Sequence, residues 1–254
     1  MKTLLYLLAA GLFVAVVAVV LAAVLLGLRR ALRGAASGNP VPRRALPLTA
    51  AALAFWLGLT AALAAAGALS FDARPPRLLL LLPLPLLATV LLARSAAVGR
   101  LLDALPRAGL LYLQSMRVAV ELVLWLLFLA GAVPRQMTFE GLNWDVLTGL
   151  TAPVVAYFCF TRRSWPWQVA VGWNVLGLAL LLNIVTIALL SAPTPFRQFW
   201  NEPANVVISQ FPFVWLPLFI VPVAYTSHVL SLRQLWRRAA NTATPLPETA
   251  APTA

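Results

Sequence analysis

The feature that most constrains this chain is a series of long apolar segments that recurs along almost its whole length. Seven segments are long enough to cross a bilayer as helices, since about 20 apolar residues span the roughly 30 Å of hydrocarbon. They are residues 4–28, 46–69, 77–93, 109–133, 146–161, 166–190 and 206–231. Only 10% of the 254 residues are charged, against about 25% in soluble domains. The sequence therefore predicts an all-α, polytopic transmembrane helix bundle.

The distribution of basic residues predicts the orientation of the bundle. Thirteen arginines fall on one side: Arg29, Arg30, Arg33, Arg43, Arg44, Arg94, Arg100, Arg107, Arg162, Arg163, Arg233, Arg237 and Arg238. Five basic residues fall on the other: Lys2, Arg74, Arg77, Arg135 and Arg197. Because cytoplasmic loops carry the excess of Lys and Arg, this bias predicts the N-terminus outside and the C-terminus in the cytoplasm.

The two ends of the chain differ in character. The first apolar run is about twice as long as a cleavable signal core and is followed directly by arginines, so we expect an uncleaved first helix. Residues 1–238 are predicted to form the seven-helix domain. Residues 239–254 are rich in Ala, Thr and Pro and are predicted to form a disordered cytoplasmic tail. Residues 94–108 read as a short amphipathic helix at the inner interface.

Several function classes are excluded by residues that the chain lacks. The net charge of +12 would point to nucleic acid in a soluble protein, but here it is explained by loop anchoring, and no nucleic-acid partner is expected. With one cysteine (Cys159) and one histidine (His228), neither a disulfide nor a Cys/His metal cluster can form, and no metal or cofactor is expected. The absence of any lysine after Lys2 excludes a retinal Schiff base in the last helix. No P-loop or Gly-x-Ser-x-Gly elbow occurs, and no catalytic residue is assigned.

Two ionisable residues lie inside the fourth predicted span. Arg117 and Glu121 share a helix face with Gln114, at i, i+3 and i+7. Ionisable groups in a span usually face protein or water because exposure to lipid is costly. Depth along the helices places four further polar residues in the same, inner half of the bundle. These are Tyr157, Asn174, Tyr225 and His228.

This inner group has two interpretations. It forms a cytoplasm-facing substrate or ion site, in which Glu121 is the candidate for proton or cation coupling. Alternatively, Arg117 extends to the headgroups and the other side chains hold the helices together by hydrogen bonds.

A second polar group is predicted on the outer side. It consists of Asn143, Asp145, Thr148, Asn183 and Gln210. Asn143 and Asp145 resemble a turn and helix cap before the fifth span. The group is either an outer vestibule for a solute or ordinary capping and interhelical hydrogen bonding.

Prolines predict an irregular last span. Pro212, Pro217 and Pro222 each remove a backbone donor, so we expect a kinked or locally unwound helix between them. A similar Leu-Pro-Leu run surrounds Pro83 and Pro85 in the third span, at a matching place in the chain. Spans one to three and five to seven would then be parallel repeats, unless the match reflects only how common Leu and Pro are here.

Two stretches carry a family resemblance. They are YLQSMRVAVELVLWLLFLAGAVPRQMTFEGLNWDVLTGLTAP, at 112–153, and FVWLPLFIVPVAYTSHVLSLRQLW, at 213–236. Both resemble uncharacterised bacterial multi-pass integral membrane proteins. The resemblance implies a bacterial inner-membrane setting and assigns no activity and no functional residues.

Three functions fit these observations. The first is a transporter or channel-like protein for a small solute or ion, which suits the intramembrane charges and the proline-interrupted span. The second is a non-catalytic subunit or assembly partner of a membrane complex. The third, an enzyme acting on lipids, is disfavoured by the shortage of nucleophiles and metal ligands. The expected partners are the lipid bilayer and either other membrane subunits or further copies of the chain.

Overall fold

The computed structural model describes residues 1–35, 42, 44–73 and 75–243, and these residues are mostly helical and contain no strand. Six helices in this part of the chain are long and apolar enough to cross a membrane. Helices suit such a chain because each backbone donor finds its acceptor within the same segment, where no water is present. The all-α fold class is confirmed, and the six apolar helices indicate a membrane protein.

The first half of the chain forms two long helices followed by several short ones. α1 is Lys2–Gly34, α2 is Ala45–Ala65, α3 is Arg77–Leu81, α4 is Pro83–Arg94 and α5 is Ala96–Ala104. The predicted third span thus divides at Leu82, directly before the two prolines of its Leu-Pro-Leu run. Ser95 caps α5 by accepting a hydrogen bond from the Val98 amide at 3.4 Å.

The second half begins with the fourth predicted span. The fourth span consists of two helices, α6, Arg107–Leu113, and α7, Met116–Leu129. α8 is Val146–Ala156 and continues as a π-helical turn over Tyr157–Thr161. α9 is Trp167–Ser191, and α10 is Val221–Ala243. The predicted fifth span is therefore a helix of only 16 residues, about 24 Å long at 1.5 Å per residue.

The predicted interruption of the last span is confirmed. Residues 206–214 are not α-helical, and a π-helix at Leu216–Ile220 contains Pro217 and leads into α10. Proline lacks the amide that an α-helical ladder needs, which accounts for the wider turn. The helix that follows is longer than predicted and runs to Ala243, past the expected start of the tail at 239. Residues 244–254 lie outside the described residues.

The main core lies between α1, α7, α9 and the segment before α10. On α1 it includes Phe13, Val17 and Val20, and on α7 it includes Val123 and Leu127. α2 and the α3–α4 pair contribute far fewer buried residues. Side chains on one face of α1 and α7 thus hold the centre of the bundle, while α3 and α4 lie at its edge.

Helix α5 lies across one end of the bundle and brings several helix ends together. Arg233 of α10 donates to the Ser95 carbonyl at 2.9 Å, and Arg237 pairs with Asp103 of α5 at 2.7 Å. A Cβ on Gly34, at the end of α1, would lie 3.1 Å from the Ala104 Cβ. The basic C-terminal ends of α1, α4 and α10 therefore share one end of the molecule.

Candidate functional site

The chain between α7 and α8 doubles back along α7 and positions the polar residues of the site. Trp125 donates to Glu140 at 2.6 Å, and Asn143 donates to Glu121, which lies one turn before Trp125 in α7. The pairs thus run in opposite directions along the two segments. Asp145, at the end of the returning segment, lies beside Arg117. Arg117 is 12 residues, or about 18 Å, from the end of α7 at Leu129.

The predicted separation into an inner and an outer polar group does not hold for Asn143 and Asp145. Asn143 and Asp145 were expected near the outer surface, but they contact Glu121 and Arg117 of the inner group. The reason is that residues 130–145 return into the bundle before α8 begins. The segment is buried on the side that packs against α7, where Asn143 and Asp145 lie, while Phe139, Leu142 and Trp144 are exposed.

Arg117 and Asp145 form a buried ion pair. The Arg117 Nη1 lies 2.9 Å from the Asp145 Oδ1, and the two residues are 2% and 6% exposed. The contact is an ion pair without a hydrogen bond: the two atoms are close, but among the described residues Oδ1 accepts no hydrogen bond of acceptable angle. Nη1 also donates to the Gly177 carbonyl at 3.3 Å, whereas Nε and Nη2 find no acceptor among the described residues. The pair is thus only partly satisfied.

Asp145 does not act as the predicted helix cap. Its side chain accepts no backbone hydrogen bond from the first turn of α8. The amide of Asp145 instead donates to the Asn143 Oδ1 at 3.1 Å, which closes a turn just before the helix. This turn directs the Asp145 carboxylate towards Arg117 and away from the helix end.

Glu121 lies one turn along α7 from Arg117 and is 2% exposed. One of its oxygens, Oε1, accepts a hydrogen bond from the Asn143 amide group, which also donates to the Met137 carbonyl at 3.1 Å. The second oxygen, Oε2, has no partner among the described residues. Since buried polar atoms are normally hydrogen-bonded, Oε2 is available to a ligand, a proton or a water molecule.

A stripe of buried polar side chains continues from this group along α10. His228 Nδ1 lies 2.9 Å from the Asn174 Oδ1, and the Asn174 amide donates to the Ser231 hydroxyl at 3.1 Å. Gln234 donates to the Leu105 carbonyl at 2.8 Å. His228 Nε2 has no partner among the described residues. The stripe thus connects the charged group with the end of the bundle at α5.

A cavity of about 440 Å³ lies beside the charged group, between α3–α4, α7, α9 and the start of α10. Its walls are mostly apolar side chains, including Leu82, Leu124 and Leu181. Four ionisable residues also line it: Arg117, Glu121, Asp145 and Tyr225. The arrangement is an apolar chamber with one charged wall.

The other predicted site residues lie elsewhere. Gln114 is buried and donates to the Ala224 carbonyl at 3.1 Å, which links α7 to α10. Thr148 is buried without a partner among the described residues.

Three further predicted residues lie away from the charged wall. Asn183 donates to the Leu142 carbonyl at 2.9 Å. Gln210 accepts a long hydrogen bond of 3.4 Å from Tyr6 near the surface. Tyr157 is 46% exposed, with its ring against Phe158, so the structure does not bring it into the cavity.

Sequence analysis missed Ser231, Gln234 and Gly177. The two polar residues follow His228 at i+3 and i+6, so the helical period could have identified them as one face. Gly177 left no such signal. A Cβ there would lie 2.5 Å from the His228 Cε1, so the glycine lets α9 and α10 approach at the site. Among the described residues, no three acidic, His or Cys side chains are grouped as metal ligands.

One comparison with known proteins finds a match. A family profile described as a domain of unknown function (DUF8737) matches residues 75–236, which is more than half of the chain. All residues that line the cavity fall within that range. No curated protein and no solved structure matches the chain.

Proposed function

The chain belongs to the DUF8737 family, and we propose from the geometry of the site that it is a transporter of the bacterial inner membrane. In this proposal it carries a small molecule through the cavity beside Arg117, Glu121 and Asp145. It crosses the membrane seven times, and the returning segment 130–145 together with α8 makes the fifth crossing. The N-terminus lies outside and the C-terminus in the cytoplasm.

The observation that carries the proposal is the incomplete satisfaction of the charged wall. A cluster that served only to hold helices together would be expected to satisfy its own buried polar atoms, because each orphaned one is costly. Here Glu121 Oε2, Arg117 Nε and Arg117 Nη2 have no partner among the described residues. They belong to residues that line a cavity large enough for a small molecule, since such sites measure about 300–1,000 Å³.

The polar stripe along α10 favours transport over simple binding. His228, Asn174 and Ser231 extend the polar surface from the charged wall towards α5. A binding site alone needs no such extension. A transport site needs access to both sides of the membrane, and buried polar side chains along one helix face are typical of such a route.

The proposed orientation is supported by the shared position of the basic helix ends. Arg233 and Arg237 both contact α5, next to Arg94 at the end of α4. A concentration of arginines at one end of a bundle is typical of the cytoplasmic side.

A second candidate is a membrane protein that binds an apolar ligand without moving it across. It is favoured by the walls of the cavity, which are apolar apart from the charged wall. The two functions share the site and differ in whether the ligand crosses the bilayer.

Uptake into membrane vesicles tests the proposal. Inside-out vesicles that contain the protein are incubated with a metabolite extract, and the accumulated compounds are identified by mass spectrometry. We expect at least one compound to accumulate with the natural protein and with Asp103→Asn, and not with Glu121→Gln. Asp103 is a matched control because it is an acid in an exposed ion pair far from the cavity. Equal accumulation in all vesicles, or none in any, would contradict transport.

A further inference from the structure

The main cavity lies next to a second hollow at the edge of the bundle. This hollow, of about 380 Å³, is lined by α3, by the end of α9 and by Thr194 and Phe196. Leu79, Leu82 and Leu189 line both spaces. The two spaces therefore adjoin between α3 and the end of α9, in the half of the bundle opposite α5.

The second hollow is mostly apolar. Leu79 of α3 and Leu82, directly after α3, line it together with Leu189 and Leu190 of α9, and Phe196 beyond α9 is 69% exposed. Its polar lining residues are Thr186 and Thr194. Between helices of a membrane bundle, such a gap faces acyl chains. A molecule that uses it must therefore be soluble in the hydrocarbon of the bilayer, at least over most of its surface.

The charged wall of the cavity indicates which polar group such a molecule carries. Two carboxylates and one guanidinium line the cavity, and the only other ionisable group there among the described residues is Tyr225. Arg117 pairs with Asp145 at 2.9 Å, and among the described residues no cation lies within ion-pair distance of Glu121. A buried carboxylate needs a counter-charge or a proton, because an isolated charge is very costly away from water. Oε2 of Glu121 has no hydrogen-bond partner among the residues that the structure describes, so it is free to meet a cationic group.

We infer that the cavity binds a hydrophobic organic monocation, which arrives from the bilayer between α3 and α9 and places its positive group against Glu121. Its apolar body fills the chamber formed by the leucines and isoleucines of α3, α7, α9 and the segment before α10. The inference rests on the proposed function and names the substrate class of the same site.

Two probes of the same shape and opposite charge test the inference. Tetraphenylphosphonium and tetraphenylborate present the same four phenyl groups around a cationic or an anionic centre. Binding of each is measured by equilibrium dialysis with the full chain in lipid nanodiscs, and binding to empty nanodiscs is subtracted. We expect saturable binding of one tetraphenylphosphonium per chain and no saturable binding of tetraphenylborate.

Two carboxyl-to-amide variants show whether Glu121 is responsible. We expect Glu121→Gln to weaken tetraphenylphosphonium binding at least tenfold, whereas Asp103→Asn leaves it unchanged. Circular dichroism and gel filtration check that both variants are folded. Equal binding of the two probes, a preference for the anion, or unchanged cation binding in a folded Glu121→Gln protein would overturn the inference.

A second pair of variants tests the lateral route. Leu82→Trp narrows the opening, while Leu80→Trp adds the same bulk on an exposed face of α3 that does not line the cavity. We expect Leu82→Trp to slow association of tetraphenylphosphonium severalfold and Leu80→Trp to leave the rate unchanged. Equal association rates in the two variants would overturn access between α3 and α9.

The outcomes separate this inference from the proposed function. Absence of tetraphenylphosphonium binding, together with metabolite uptake that depends on Glu121, would overturn the substrate class and retain transport. Binding that depends on Glu121, together with no movement of tetraphenylphosphonium into proteoliposomes and no metabolite uptake, would retain the ligand class and contradict transport.

Discussion

The Arg117 Nη1 and the Asp145 Oδ1 lie 2.9 Å apart in the interior of the bundle, although Asp145 lies at the far end of the long irregular segment that follows α7. The contact exists because residues 130–145 return along α7. It joins α7 to the start of α8 and gives the cavity its charged wall. Loss of either partner would leave the other charge buried and unpaired, and this is the basis of the first prediction.

Asp145→Asn is expected to destabilise the protein strongly. Removing one member of a buried ion pair costs about 3–5 kcal/mol, because the remaining charge keeps its desolvation penalty. The free energy of unfolding is measured by SDS titration in detergent micelles, and the melting temperature is followed in parallel.

Asp103→Asn provides the matched control for that experiment. Asp103 pairs with Arg237 at 2.7 Å, but both side chains are more than a third exposed. Exposed ion pairs contribute about 0–1 kcal/mol, so we expect almost no change. Replacement of both buried partners, by Arg117→Met with Asp145→Leu, should recover much of the loss. Equal stability of Asp145→Asn and Asp103→Asn would show that the buried pair is not structurally important.

Gly177→Ala is expected to disturb the contact between α9 and α10. The added Cβ would lie 2.5 Å from the His228 Cε1 and 2.7 Å from its Nε2. The imidazole is fully buried and pairs with Asn174, so it cannot move aside easily. We expect a loss of about 1–3 kcal/mol, which is typical of overpacking.

Gly172→Ala on the same helix is the control for Gly177→Ala. Its Cβ would meet no atom within 4 Å. In a helix interior, alanine is more favourable than glycine by about 0.5–1 kcal/mol, so the melting temperature should stay the same or rise slightly. A similar decrease in both variants would contradict the close approach at Gly177.

Reporter fusions test the proposed topology. A green fluorescent protein joined after residue 254 is expected to fluoresce, and an alkaline phosphatase at the same position should be inactive, because the basic end of the bundle is proposed to be cytoplasmic. Fusions in the segment 193–205, between α9 and α10, should give the opposite result. An active phosphatase after residue 254 would reverse the orientation.

The contribution of the segment between α9 and α10 to the stability of the fold is expected to depend on pH, because it involves the carboxylate of Glu202. Hydrogen bonds from the Arg197 guanidinium and the Ala204 amide lower the pKa of Glu202 below its ordinary value of 4.5. A carboxyl with a lowered pKa in the folded state stabilises the fold above its ordinary pKa, and this contribution is lost as the pH falls through the folded value. Glu202→Gln should therefore melt slightly below the natural protein at neutral pH, and the difference should vanish in acid. A difference that is independent of pH would contradict the role of these hydrogen bonds.

Particular residues show how far the sequence could predict the site. Arg117 and Glu121 were recognised because charges in an apolar helix have few acceptable surroundings. Their surroundings were only partly predicted. Asn174, Tyr225 and His228 do lie near the charged wall or its continuation, while Tyr157 was placed there by depth alone and is half exposed. Depth along a helix gives the height of a residue and leaves its direction around the axis open.

What the sequence by itself determined is the all-α class, the long apolar helices and the break before α10. Apolar length predicts the helices, and the prolines predict the break before α10, because both depend on bonds between residues close in the chain. Only the tertiary structure decided that residues 130–145 fold back along α7 and bring Asp145 to Arg117. It likewise decided that Gly177 admits His228 and that a cavity remains between α3 and α9. These features depend on packing between distant segments, and no local pattern in the chain records that packing.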